Sequence, residues 1–219
     1  MLTKSCIPVG MIQSNSYLLR DEPSGQLALI DCGFYNKPVA EAIRAAGGDL
    51  RYILLTHGHF DHIIGVARGK EAYPAARVGI GAADADYLRA KPPGEALDRP
   101  PFNRVKAMEP DLPLRDGDEI ALGESVLTVL ATPGHTRGGV CYLTAAERWI
   151  FSGDTLFFEE VGRDDLPGGD WPTLCRSLLR LAELEGDYEI FPGHGCATSL
   201  VHERASNPYL TKLLQEGGV

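Results

Sequence analysis

Five of the six histidines fall into three short motifs, each placed just after a run of strand-forming residues. His57-Gly58-His59-Phe60-Asp61-His62 packs four metal-capable side chains into six residues. One such loop could give two imidazoles to one cation and a carboxylate plus an imidazole to a neighbour. Imidazole nitrogen and carboxylate oxygen suit a borderline cation such as zinc, and catalytic sites keep a position open for water. Four ligands cannot fill two such sites. Further donors stand at Thr132-Pro133-Gly134-His135, Ser152-Gly153-Asp154-Thr155 and Pro192-Gly193-His194-Gly195. Any one of these histidines alone would more often be structural, but as a set they point to metal. Seven ligands shared by two metals leave positions open, which speaks for catalysis over a closed structural site. His202 lies outside the motifs and reads as a helix-surface histidine.

Strands must deliver these loops. Residues 51–55 (RYILL) form a continuous apolar run leading into Thr56-His57. Residues 16–20 and 26–30 read as a hairpin about Asp21-Glu22-Pro23-Ser24-Gly25. Residues 37–46 read as a helix with Val39, Ile43 and Ala46 on one face, stopped by Gly47-Gly48. A helix over about 82–90 precedes a stretch rich in Pro and Arg, 91–106, read as an irregular surface loop. Strands follow near 125–130, 139–144 and 149–151. Then comes a helix over about 172–184, capped by Asp170, with Leu174, Leu178, Leu181 and Leu184 as its buried stripe. A strand at 188–191 ends at Pro192-Gly193, and helical turns near Glu203 and over 208–214 finish the chain. Asn15 reads as a turn residue, and Thr56 and Thr155 as holding the ligand loops beside them. This order predicts an α/β sandwich in one domain, residues 1–219, with a site at the strand ends.

Composition narrows the partners. With 21 basic and 30 acidic residues the net charge is −9, and no Lys/Arg cluster of the phosphate-neutralising kind is present. Nucleic acid and anionic membrane surfaces are therefore not expected. No apolar run approaches the ~20 residues of a membrane span. Pro8, Gly10 and Gln13 break up any signal-peptide core, so a cytoplasmic location is expected. Cys6, Cys32, Cys141, Cys175 and Cys196 are odd in number, scattered and without a CxxC pair, which fits reduced thiols.

The motifs resemble those of the metallo-β-lactamase-fold hydrolases. His57 to His62 fits that family's HxHxDH signature, and His135, Asp154 and His194 follow in its order. The likeness runs from Asn15-Ser16-Tyr17-Leu18 and Leu29-Ile30-Asp31-Cys32-Gly33 to Asn207-Pro208-Tyr209-Leu210, and looks closest to the small glyoxalase II-like branch. The resemblance implies a four-layer αββα sandwich of two mixed sheets flanked by helices. It assigns His57, His59 and His135 to a first metal and Asp61, His62 and His194 to a second, with Asp154 bridging. Two divalent ions, zinc with iron or manganese as alternatives, would hold a hydroxide as the nucleophile, with Asp61 and Asp154 as the catalytic carboxylates. The implied substrate is a small acyl thioester such as S-lactoylglutathione. Asp31 would either orient a ligand loop from behind by a hydrogen bond or cap the turn before Gly33.

Nine residues after Asp154, where glyoxalase II enzymes place a lysine that grips the substrate carboxylate, this chain has Arg163. It would either bind substrate as a fork or pair with Asp164 or Asp165. Two positions depart from the glyoxalase II pattern: Cys196 and Asp165 stand where tyrosines are expected. A single domain of residues 1–219 is expected to lack a counterpart of the C-terminal helical domain that contacts glutathione in the larger enzymes. Chemistry is thus better specified than substrate. One alternative is a persulfide dioxygenase of the same fold, which holds one iron and shares Gly162-Arg163-x-Asp165. A non-catalytic metal-binding protein is another. A β-lactamase is disfavoured because its best-known class has cysteine at the position of Asp154, and a nuclease by the lack of a basic groove.

Overall fold

The computed structural model describes residues 1–89 and 106–216; the stretch read above as an irregular loop lies, except for Lys106, outside the described residues. The first half contains β1 (Leu2–Val9), β2 (Ser14–Asp21), β3 (Gln26–Ile30), α1 (Lys37–Ala46), β4 (Asp49–Leu54), α2 (Phe60–Ile63), α3 (Val66–Ala72), β5 (Arg77–Gly81), α4 (Ala85–Arg89) and β6 (Leu112–Leu114). The second contains β7 (Glu119–Leu122), β8 (Ser125–Ala131), β9 (Val140–Thr144), β10 (Trp149–Gly153), β11 (Leu156–Phe157), β12 (Glu160–Val161), α5 (Trp171–Ala182), β13 (Glu189–Pro192), β14 (Thr198–Ser199), α6 (Leu200–Ser206) and α7 (Pro208–Gln215).

One sheet has the order β1-β2-β3-β4-β5-β6, the other β14-β13-β10-β9-β8-β7. The first is antiparallel through β3 and parallel from β3 to β6. The second is antiparallel except where β10 meets β13. Both are mixed, as the family resemblance implies.

Side-chain alternation builds the layers, because successive residues of a strand face opposite sides. In the first sheet Leu18, Leu27, Leu29, Ile53, Val78 and Ile80 face outward and meet Val39 and Ile43 of α1 and Val66 of α3. Their neighbours Tyr17, Leu19, Ala28, Ile30 and Leu54 face inward and meet Leu127, Val129, Val140, Tyr142, Phe151 and Phe191 of the second sheet. On the far side Cys141, Leu143, Ile150 and Ile190 pack on Leu174, Leu178 and Leu181 of α5 and on Leu210 and Leu213 of α7. Helix, sheet, sheet, helix is the result.

The helix ends follow local chemistry. Asn36 accepts from the Val39 amide at 3.3 Å at the start of α1, which closes at Gly47 in the left-handed conformation, φ 62°. Asp170 caps α5 as expected, accepting from the Thr173 amide at 2.9 Å. The helix expected over 82–90 instead opens as a 3-10 turn, Ala82–Asp84, before α4. Among the described residues no helix is long and apolar enough to cross a membrane.

Candidate metal centre

The carboxyl ends of β3, β4, β8, β10 and β13 converge on one edge of the sandwich, and every candidate ligand follows one of these strands. His57 comes shortly after β4, His59 is the N-cap of α2, and Asp61 and His62 lie within that helix. His135 follows β8, Asp154 directly follows β10, and His194 comes two residues after β13.

These seven side chains meet. Ligand atoms lie within 4.8 Å of one another in three overlapping groups: His57, His59 and His135; His57, His62 and Asp154; Asp61, His62 and His194. Asp154 stands between the outer two groups. Its Oδ1 is 3.4 Å from His62 Nε2, and its Oδ2 is 3.6 Å from both His135 Nε2 and His194 Nε2. Asp61 Oδ2 lies 3.3 Å from His62 Nε2 and 3.1 Å from His194 Nε2. The close approach needs glycine: a Cβ on Gly193 would stand 2.2 Å from Asp154 Oδ1 and 2.8 Å from His62 Cε1.

Hydrogen bonds behind the rings decide which nitrogens face inward. His62 Nδ1 lies 2.9 Å from Asp31 Oδ2, a carboxylate that can only accept, so this nitrogen carries a proton. His135 Nδ1 is 2.7 Å from the Arg163 carbonyl, which likewise can only accept. Thr56 Oγ1 donates to Asp31 Oδ2 at 2.8 Å and so accepts from His57 Nδ1 at 3.0 Å. With Nδ1 protonated in all three, it is Nε2 that faces the cluster, and each ring offers a lone pair there in its neutral form. Buried His57 Nε2, His59 Nε2 and Asp154 Oδ1 have no hydrogen-bond partner. His59 Nδ1 lies only 2.8 Å from the His135 Nε2 lone pair. Orphaned buried donors and converging lone pairs are what a cation satisfies, so the residues fit a metal pair.

The electrostatics agree. Burial, then the neighbouring imidazoles of His62 and His135, holds His57 well below its ordinary value and keeps it neutral. Burial and His135 push His59 down to about 3, with Arg163 contributing. Burial would lower His62 too, but the carboxylates of Asp154, Asp31 and Asp61 outweigh it and hold that ring well above its usual value. Burial opposes charge on Asp61, yet His62 and His194 keep its carboxyl far below the carboxylate range. In the metal-free chain protons thus hold the carboxylates together; cations would replace them.

The loops are clamped from outside. Asp31 accepts from the Thr56 amide and hydroxyl, both at 2.8 Å, as well as from His62, so it braces the ligand loop. It does this from a left-handed backbone, φ 54°, a conformation Asp tolerates better than most residues. Sequence reasoning missed two further clamps. Asn15 lies on β2 and is 3% exposed, and its Nδ2 donates to the carbonyls of Pro192 and Gly195, both at 3.0 Å, fixing the His194 loop. Asp84, fully buried, accepts from the amides of Gly58 at 2.9 Å and Gly138 at 2.7 Å and from Thr136 Oγ1 at 2.7 Å. It thereby joins the His57–His59 loop to the His135 loop. Thr155 Oγ1 pairs with Thr132 Oγ1 at 3.0 Å. His202 sits on α6 against Glu159, 3.0 Å away, apart from the cluster.

Residues 9–194 match the description of the metallo-β-lactamase superfamily. This chain belongs to that superfamily. It is 32% identical to a protein of Haemophilus influenzae named hydroxyacylglutathione hydrolase GloC, over 93% of this chain and 96% of that one. An uncharacterised protein of Aquifex aeolicus is 35% identical over 95% of this chain and 97% of its own length. Among solved structures, the B3 metallo-β-lactamase BLEG-1 superposes with a TM-score of 0.86 at 30% identity, covering 96% of this chain and all of that one (100%). TTHA1623, solved in a di-iron-bound form, gives a TM-score of 0.81 at 34% identity, covering 94% and 100%. The metallo-β-lactamase fold therefore accounts for the sandwich, and its His/Asp clusters are compatible with a dinuclear metal site.

Proposed function

We propose that this chain is a dinuclear metal-dependent hydrolase of small acyl thioesters. The observation that carries this reading is the placing of one carboxylate, Asp154, between two groups of candidate ligands in a buried cluster with one more exposed side. The side chains of His57, His59, His62, His135 and Asp61 are almost entirely buried, whereas Asp154 is 13% exposed and His194 29% exposed. Substrate enters there. The names of the Haemophilus relative and the di-iron structure support the same reading.

His57, His59 and His135 would hold one cation and Asp61, His62 and His194 the other, with Asp154 placed to serve both. Nitrogen and oxygen donors without thiolate suit zinc, iron or manganese. When bound, the two ions supply a water acidic enough to lose its proton near neutral pH and an electrophile for the substrate carbonyl. The chain's own hydroxyls beside the ligands are committed elsewhere: Thr56 Oγ1 donates to Asp31, and Ser14 Oγ donates to the Asp61 carbonyl at 2.8 Å. Water would then be the nucleophile, as the family resemblance implies, with Asp61 and Asp154 as the carboxylates of its site. Thr56 and Asp31 keep the imidazoles aligned. A thiol of pKa about 8.5 departs as thiolate without a strong acid, so the ligand motifs need supply no general acid for it.

The test joins metal analysis with a substrate panel: S-lactoylglutathione, other acyl thioesters, a β-lactam, and glutathione persulfide with oxygen uptake monitored. About two metals per chain and thiol release are expected. Less than one metal per chain, no thioester turnover and oxygen consumption with persulfide would overturn the proposal. Asp61→Ala and His194→Ala should each lower thioester kcat/KM on the order of 100-fold or more, since each empties one ligand position. A mononuclear enzyme would tolerate both.

A further inference from the structure

Arg163 meets the metal centre through its backbone. Its carbonyl accepts from His135 Nδ1, and Gly162 before it packs so tightly that a Cβ there would stand 1.8 Å from the Asp154 carbonyl oxygen and 3.3 Å from His135 Cβ. The side chain leaving this wall stands at the rim, 60% exposed. Its fork is already engaged: Nε donates to Asp165 Oδ1 at 2.6 Å and Nη2 to Asp165 Oδ2 at 2.7 Å. Two parallel N–H···O bonds are the arrangement in which a guanidinium takes a carboxylate from any source.

We propose that Asp165 acts as a resident competitor for the anion-binding fork of Arg163, so that the site selects acyl thioesters without a carboxylate near the scissile bond over those that carry one. This rests on the thioester reading above. Asp165 has two advantages over a free carboxylate. It is tethered two residues away, where a short link gives an effective concentration of about millimolar or more. Once displaced it remains close by as a like charge facing the substrate's own. Because the pair is exposed it is weak, so it biases selection and does not forbid the acid. Asp165 is therefore a specificity-determining residue, while Arg163 is the cationic half of a subsite that the chain itself fills.

The test compares two thioesters of equal acyl length, one ending in a carboxylate and one in the matching carboxamide, on metal-loaded protein. In Asp165→Asn the ratio of kcat/KM for acid over amide should rise ~2–5-fold, the range expected for freeing an exposed charged fork. The rise should shrink at high salt and vanish in the double variant Arg163→Gln/Asp165→Asn. Calorimetry with a non-cleavable thioether carrying the same carboxylate should show Kd falling by a similar factor in Asp165→Asn. A ratio and a Kd both within twofold of the parent would overturn the inference, as would a gain that persists without Arg163. If neither thioester turns over in the parent protein, the thioester reading fails and the calorimetric comparison alone decides the role of Asp165.

Discussion

At Thr56 one hydroxyl hydrogen is spent on Asp31, which leaves a lone pair for the His57 Nδ1 proton and so turns Nε2 toward the cluster. Valine at this position keeps the shape and removes the acceptor. Thr56→Val should weaken metal binding ~10–100-fold, as loss of a hydrogen bond behind a ligand does, while Thr56→Ser should restore it. Competition against a chelator measures both; equal affinities for the two variants would show that packing, not the hydrogen bond, sets this ring. The seven candidate ligands that the structure brings together were legible because four of them crowd into residues 57–62 and the other three stand in turn-rich motifs after strands. Asn15 and Asp84 were not legible. Their partners are backbone groups far along the chain, Pro192 and Gly195 for one and Gly58 and Gly138 for the other, and nothing in the local sequence announces such a bond. The two readings left open for Arg163 both named an acid partner or a substrate; the structure pairs it with Asp165.

Strong local signals also decided which elements could be read. The helix over 37–46 was legible to the residue because Gly47-Gly48 stops an apolar stripe of Val39, Ile43 and Ala46, and the hairpin of β2 and β3 because a turn cluster separates two apolar runs. β1 escaped because it is an edge strand with only Leu2 and Val9 buried among its apolar residues, and β5 because two glycines interrupt five residues. β11, β12 and β14, two residues each, are too short to show a period. One element contact yields a prediction. Asp21 ends β2 and accepts from the Ser24 amide and hydroxyl, the Glu124 amide and Ser125 Oγ, so it ties the first sheet to the turn between β7 and β8. Burial opposes its charge, but the Ser24 and Ser125 bonds win and bring its carboxyl down to about 2. A depressed carboxylate stabilises the fold above the unfolded value of about 3.9 and loses that contribution as pH falls through the folded value. Asp21→Asn should thus cost on the order of 1–2 kcal/mol at neutral pH, with the gap to the parent closing as pH approaches 2. Urea midpoints at the two ends of that range measure it, and a gap that does not vary with pH would assign the effect to packing.

On the scale of the whole molecule, the −9 charge includes Asp61 and Asp154, and two divalent cations with one hydroxide would bring it to −6, the sum of −9, +4 and −1. Part of the acidity is thus a buried anionic pocket, and its balance in the metal-free chain falls to protons. His62 and His194 are raised above their ordinary value, the first by Asp154, Asp31 and Asp61 against burial, the second by Asp61 and Asp154 against burial. Raised groups stabilise the fold fully below the unfolded value of about 6.5, and that stability is lost as pH climbs through the folded value. His57 and His59 are depressed, so the unfolded chain gains protons below about 6.5 that the fold cannot take up, and stability falls there too. The stripped protein should therefore be most stable near pH 6.5 and weaken on both sides. Loaded protein should behave differently, because metal affinity rises as competing protons leave. The difference in Tm between loaded and stripped protein should widen from about pH 6.5 toward pH 9. At free metal a thousandfold above Kd the gain is ~4 kcal/mol, about 8–16 °C for a chain of this size. Scanning calorimetry of both forms across that range measures it. A stripped profile that stays flat above pH 6.5 would mean that His62 holds no extra proton, and that something other than its three carboxylate neighbours closes the empty site.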